Sequence, residues 1–172
     1  MPPTVVLVLA APDYEDLELH YPKLRLQEAG WDVKVAGLGE RRYFGRRRLP
    51  CDVDGDVGDY PAGELAGVVV PGGWAPDRIR RAPEALALLR AVEGQGKLVA
   101  AIGHGASVLV SAGLLRGRRA TSAEGIRDDL VHAGADWIAS PVVVDGNVIT
   151  AASDLPAFGH VLVDFLERWK KP

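Results

Sequence analysis

Chemistry in this chain could be built on Glu18, the Gly72-Gly73 pair and the Gly103-His104-Gly105 triplet. Glu18 ends the run Tyr14-Glu15-Asp16-Leu17-Glu18, which brings carboxylates to the start of a helix. A carboxylate buried at such a place has its pKa pushed upward and can carry a proton near neutral pH. Pro71-Gly72-Gly73 supplies backbone that can approach a ligand closely, and Ile102-Gly103-His104-Gly105 turns from a strand into a helix, so its N–H groups point outward. The expected arrangement is an acid/base group facing backbone donors able to hold a developing oxyanion. His104 contributes either its imidazole or only its backbone N–H.

Other reactive residue types have plainer readings. Glu15 and Asp16 are expected as cap or surface groups, and Ser107, one helical turn past the triplet, as helix packing. Cys51 reads as a lone buried structural thiol. His20, His132 and His160 fall on separate helices without metal-ligand spacing, so neither a metal site nor a cofactor is expected. Arg41 to Arg48 holds five arginines, but Asp52, Asp54, Asp56 and Asp59 follow and nearly balance them. A solvated loop or subunit contact is favoured there over nucleic-acid binding.

The elements that must position these residues alternate between short apolar runs and helical patterns, the signature of βαβ units around a parallel sheet. Thr4 to Ala10 is a buried strand, and Leu17, Tyr21 and Leu24 recur at helical spacing until Gly30. Trp31, Val33 and Val35 alternate in a half-buried strand. Val68 to Val70 and Leu98 to Ile102 are buried strands, each running into glycine. Pro83 to Glu93, Ala106 to Ala112 and Ile126 to Ala133 read as helices. Val142 to Val144 and Asn147 to Thr150 flank Asp145-Gly146, a two-residue hairpin signal. The closing helix starts near Ser153, Asp154 and Pro156 and runs to about Trp169.

The chain's 172 residues fit one domain, 1–172, long enough to bury roughly 70% of its unfolded surface. A formal charge of −3 gives no general reason to bind nucleic acid or anionic membrane, and no apolar run approaches a membrane span. A single cysteine allows no intramolecular disulfide, and Met1 to Ala11 lacks the features of a signal peptide, so a cytoplasmic protein is expected.

Longer blocks carry a specific resemblance. Tyr-Glu-Asp-Leu-Glu-Leu-His-Tyr-Pro at 14–22, Val-Val-Val-Pro-Gly-Gly-Trp-Ala-Pro at 68–76 and Ala-Ile-Gly-His-Gly at 101–105 resemble successive blocks of the ThiJ/PfpI family. So do 111–122, Gly-Ile-Arg-Asp-Asp-Leu at 125–130 and Ala-Gly-Ala-Asp-Trp at 133–137. The resemblance implies a mostly parallel sheet sandwiched by helices, the class I glutamine amidotransferase-like (flavodoxin-like) three-layer sandwich, in a homodimer or larger homo-oligomer. It implies a small-molecule substrate and a site of Glu18, Gly72, Gly73, Trp74, Gly103, His104 and Ala123, with oxyanion donors at Gly73 and His104.

Family members have been described as intracellular peptidases, glyoxalases, deglycases, isonitrile hydratases and chaperones, with a nucleophilic cysteine at the position matching Gly103. Glycine has no side chain, so thiolate chemistry cannot run through position 103. Ala123 stands where relatives often carry an aromatic residue, and Ala151-Ala152-Ser153 lacks a customary arginine. The resulting expectation is a cysteine-independent lyase, isomerase or hydratase acting on a small carbonyl or amide-like molecule, with Glu18 as general acid/base. Two alternatives stand beside it: a non-catalytic binding or assembly protein, and a peptidase, glyoxalase or deglycase disabled at Gly103.

Overall fold

A computed structural model describes residues 3–170. In chain order the strands are β1 (Val5–Leu9), β2 (Asp32–Gly37), β3 (Arg42–Phe44), β4 (Pro50–Asp52), β5 (Gly55–Asp56), β6 (Leu65–Val70), β7 (Leu98–Ile102), β8 (Arg119–Ala120), β9 (Asp136–Trp137), β10 (Val142–Asp145) and β11 (Val148–Ala151). The α-helices are α1 (Asp16–Glu28), α2 (Ala75–Ile79), α3 (Pro83–Gly94), α4 (Ala106–Ala112), α5 (Arg127–His132) and α6 (Leu155–Lys170).

Seven strands form the main sheet in the order β10-β11-β7-β6-β1-β2-β5, and only the β10–β11 pair is antiparallel. The unbroken apolar runs of β6 and β7 are buried throughout, as strands covered on both faces must be. Helices flank the sheet, with α1 packed on α6 and α3 on α4. This is the class I glutamine amidotransferase-like fold. The chain leaves β1 for β2 on one side and later returns to place β6 on the other. Such a reversal of strand order opens a crevice at the carboxyl ends of the strands.

Three local expectations change. Leu17 and Leu24 do lie on a helix, but they are exposed, and the buried face of α1 is Asp16, Leu19, Pro22 and Leu26. Asp16 is neither a cap nor a surface group. Its carboxylate is buried and accepts the N–H groups of Arg47 and Leu49, both at 2.9 Å, fastening the β3–β4 hairpin to the start of α1. In the β10–β11 hairpin Asp145 pairs with Val148, so the turn is Gly146-Asn147, one residue later than its sequence suggests. Asp145 stays in the strand because its carboxylate accepts the Arg119 N–H at 2.8 Å and faces the Arg118 guanidinium. The closing helix starts as expected, with Asp154 accepting the Ala157 N–H at 2.9 Å.

Candidate functional site

The ends of three neighbouring strands build the site. After β1 the chain passes through Asp13 and Tyr14 into α1; after β6 it enters Pro71-Gly72-Gly73; after β7 it makes a tight turn at Gly103–Gly105 into α4. The first two segments are joined by backbone bonds, Glu15 N–H to Gly72 O at 3.1 Å and Trp74 N–H to Asp13 O at 2.8 Å. Gly73 sits between these bonds at φ +74°, and a Cβ there would run into the backbone of Asp13 to Glu15. Its own N–H has no acceptor among the described residues.

Gly103 has φ +61°, the left-handed conformation that the strand-to-helix turn demands. Beside it stands Glu18, whose Oε2 accepts the Gly72 N–H at 2.9 Å. A Cβ built on Gly103 would lie 2.8 Å from Glu18 Oε1 and 3.1 Å from Oε2. Burial is the main cause that lifts the Glu18 carboxyl from 4.5 to about 7; the Gly72 hydrogen bond opposes the rise, the Glu15 charge adds to it, and the Arg46 charge lowers it. A group with this pKa exchanges protons in both directions at neutral pH.

Gly73, Trp74 and His104 line a cleft of about 420 Å³. Glu18, Gly72 and Gly103 do not line it, but Gly72 and Gly103 immediately precede Gly73 and His104 in the chain, and Glu18 accepts the Gly72 N–H. Ala123 is not in this cleft. It lines a separate one of about 710 Å³ with Thr121, Ser122 and Trp137, and its N–H reaches the elbow by donating to Gly103 O at 3.1 Å. Ser107, buried on α4, also lines the first cleft. Cys51 lies in β4 opposite Tyr43, almost fully buried, and burial pushes its thiol up to about 11. Among the described residues no three His, Cys, Asp or Glu side chains are grouped to hold a metal ion, and no helix is long and apolar enough to cross a membrane.

Arg46, Arg78, Arg80 and Arg81 also line the first cleft, and sequence reasoning missed their convergence. A signal existed: Arg78, Arg80 and Arg81 follow Gly72-Gly73-Trp74 directly. Arg46, by contrast, was hidden within a segment whose net charge is nearly balanced.

A switch-point crevice, with a glycine at a left-handed elbow and a carboxylate beside it, lies where open α/β sheets place their ligands. The DJ-1/PfpI family model matches residues 4–164, and the chain belongs to that family. A protein of Archaeoglobus fulgidus is 45% identical, the match covering 95% of this chain and 99% of that one. The deglycase PfpI of Pyrococcus furiosus is 40% identical over 94% of this chain and 99% of its own. A two-domain protein of Anabaena variabilis with DJ-1/ThiJ/PfpI-like and ferritin-like domains superposes with a TM-score of 0.92 at 40% identity, covering 95% of this chain and 48% of that chain.

Proposed function

We propose that this protein is a cysteine-independent enzyme, a lyase, isomerase or hydratase, in which Glu18 moves a proton on a small carbonyl or amide-like substrate. The observation that carries this reading is the Glu18 carboxyl itself, poised near pKa 7 over a glycine at the elbow. The family resemblance puts a cysteine nucleophile at position 103, and here the carboxylate lies against the place its Cβ would take. The substrate oxygen lies against the N–H groups of Gly73 and His104, which hold the charge that develops as Glu18 takes or gives the proton. No covalent intermediate is needed. The deglycase name of the Pyrococcus relative supports catalysis by this chain.

The enzyme works as a cytoplasmic homodimer in this proposal. Leu17 and Leu24, 59% and 62% exposed on α1, offer an apolar face suited to a second copy.

The test is turnover of a panel of small aldehydes, ketones, amides and isonitriles, followed by NMR for the protein and its Glu18→Gln variant. Loss of at least about 100-fold in the variant is expected, the contribution of a positioned acid/base. Equal turnover in Glu18→Gln would refute the role of Glu18, and silence across the panel would favour a non-catalytic binding protein.

A further inference from the structure

The walls of the elbow cleft carry more positive charge than a neutral carbonyl substrate requires. Arg81 is already committed: it bonds the Asp77 carboxylate at 3.0 Å and the Asp77 carbonyl at 2.8 Å. The other three arginines are held loosely or not at all by carboxylates. Arg78 reaches Asp13 only at 3.9 Å, and Arg46 reaches Glu15 at 3.6 Å while lying over the Trp74 ring. Arg80 has no carboxylate within 4.0 Å among the described residues. Its Nε donates to Ser111 Oγ at 2.8 Å, which fixes the plane of the guanidinium and leaves its two terminal nitrogens uncommitted.

A guanidinium with a fixed plane and free terminal donors suits a planar or tetrahedral oxyanion group. The same cleft holds the unpaired Gly73 N–H and the buried Ser107. Its volume of about 420 Å³ lies at the small end for ligand sites, so the anion sits on a compact molecule rather than on a polymer.

We propose that the substrate of this elbow carries a carboxylate or phosphate group, gripped by Arg80 with help from Arg78 and Arg46, while its carbonyl faces Gly73 and His104. This rests on the elbow being the reactive site, but the anion site can be tested without turnover. Arg80 acts as a binding and specificity residue and takes no part in the proton transfer.

The probes are inorganic phosphate, glyoxylate and the neutral glycolaldehyde, titrated into labelled protein while the Gly73, Arg80 and His104 amide signals are followed. The anions are expected to move the Arg80 signal, with affinity that falls as salt rises, and glycolaldehyde is expected to leave that signal in place. Binding of phosphate alone or of glyoxylate alone supports the site and names the anionic group; binding of both makes it a general oxyanion reader.

Arg80→Gln should weaken anion binding by about tenfold or more, the loss of a charge-assisted pair, and Arg81→Gln by less than about twofold. Arg78 is about half exposed, so Arg78→Gln spares the fold and should weaken binding several-fold even if Arg80→Gln misfolds. Absence of anion binding, or binding unchanged in both Arg80→Gln and Arg78→Gln, overturns the proposal. The two readings fail separately. Glu18-dependent turnover with equal kcat/KM for neutral and anionic substrates sinks the anion site alone; anion binding without any turnover sinks the chemistry alone.

Discussion

Glu18 and Gly103 share one volume: the point 2.8 Å from Glu18 Oε1 is where a Cβ on residue 103 would stand. The positive φ of Gly103 adds a second penalty on any side chain there. Gly103→Ala should therefore destabilise the protein by about 1–3 kcal/mol from backbone strain, with about 1 kcal/mol more from displacing the carboxylate. In a Glu18→Ala background the second part should vanish. Urea unfolding of the two single variants and the double variant measures this, and a coupling energy of about 1 kcal/mol is expected. Strict additivity would mean that the carboxylate and the elbow do not meet.

The raised pKa of Glu18 makes stability depend on pH in a definite direction. Between pH 4.5 and about 7 the folded protein holds a proton on Glu18 that the unfolded chain has released. Stability is therefore lost as pH rises through this window, and the full cost is present above about pH 7. With residual exposure allowed for, that cost is about 2 kcal/mol. Glu18→Gln, which keeps an acceptor for the Gly72 N–H, should be more stable than the parent by this amount at pH 8. At pH 4 it should show no advantage. Urea midpoints at pH 4, 6 and 8 decide it, and a difference independent of pH would show that the carboxyl titrates normally.

The strands that position the site were legible because their signal is local. β1, β6 and β7 are apolar runs, the last two ending at or near glycine, and the elbow follows from one such run meeting a helical pattern. What could not be read depends on contacts distant in sequence. Asp16 is buried only because the backbone at Arg47 and Leu49 closes on it. The hairpin of β3 and β4 has strands of three residues, too short to show an alternation. The five-residue α2 is likewise too short to show a helical period, so Arg78 on it and Arg80 and Arg81 just past it were not read as cleft residues. The exposed leucines of α1 mislead a periodicity argument, which takes any apolar stripe to face the core.

Asp16 ties that hairpin, and thus Arg46, to the site. Asp16→Ala would remove two charge-assisted hydrogen bonds and leave the Arg47 and Leu49 N–H groups without their partner, at a cost of about 2–4 kcal/mol. The loss should be concentrated in the hairpin. Hydrogen exchange at the Arg47 and Leu49 amides should accelerate by more than about tenfold, while exchange in the core strand β7 follows only the change in global stability. Uniform acceleration would show that the bonds do not hold the hairpin locally.

Cys51 supplies the control for every assignment made to the elbow. It is 2% exposed, and burial raises its thiol to about 11, so in the folded protein it is neither reachable nor ionised at neutral pH. Thiolate is the reactive form, and a shift of this size alone lowers its population about a hundredfold. Labelling of the native protein by a disulfide reagent at pH 8 should therefore be slower than that of free cysteine by at least about 100-fold, and complete labelling should appear only on unfolding. Cys51→Ser should leave any turnover unchanged, because the sole thiol of the chain takes no part in it. Rapid native labelling, or activity lost with Cys51, would instead place a reactive thiol on the β3–β4 hairpin and move the chemistry away from Glu18.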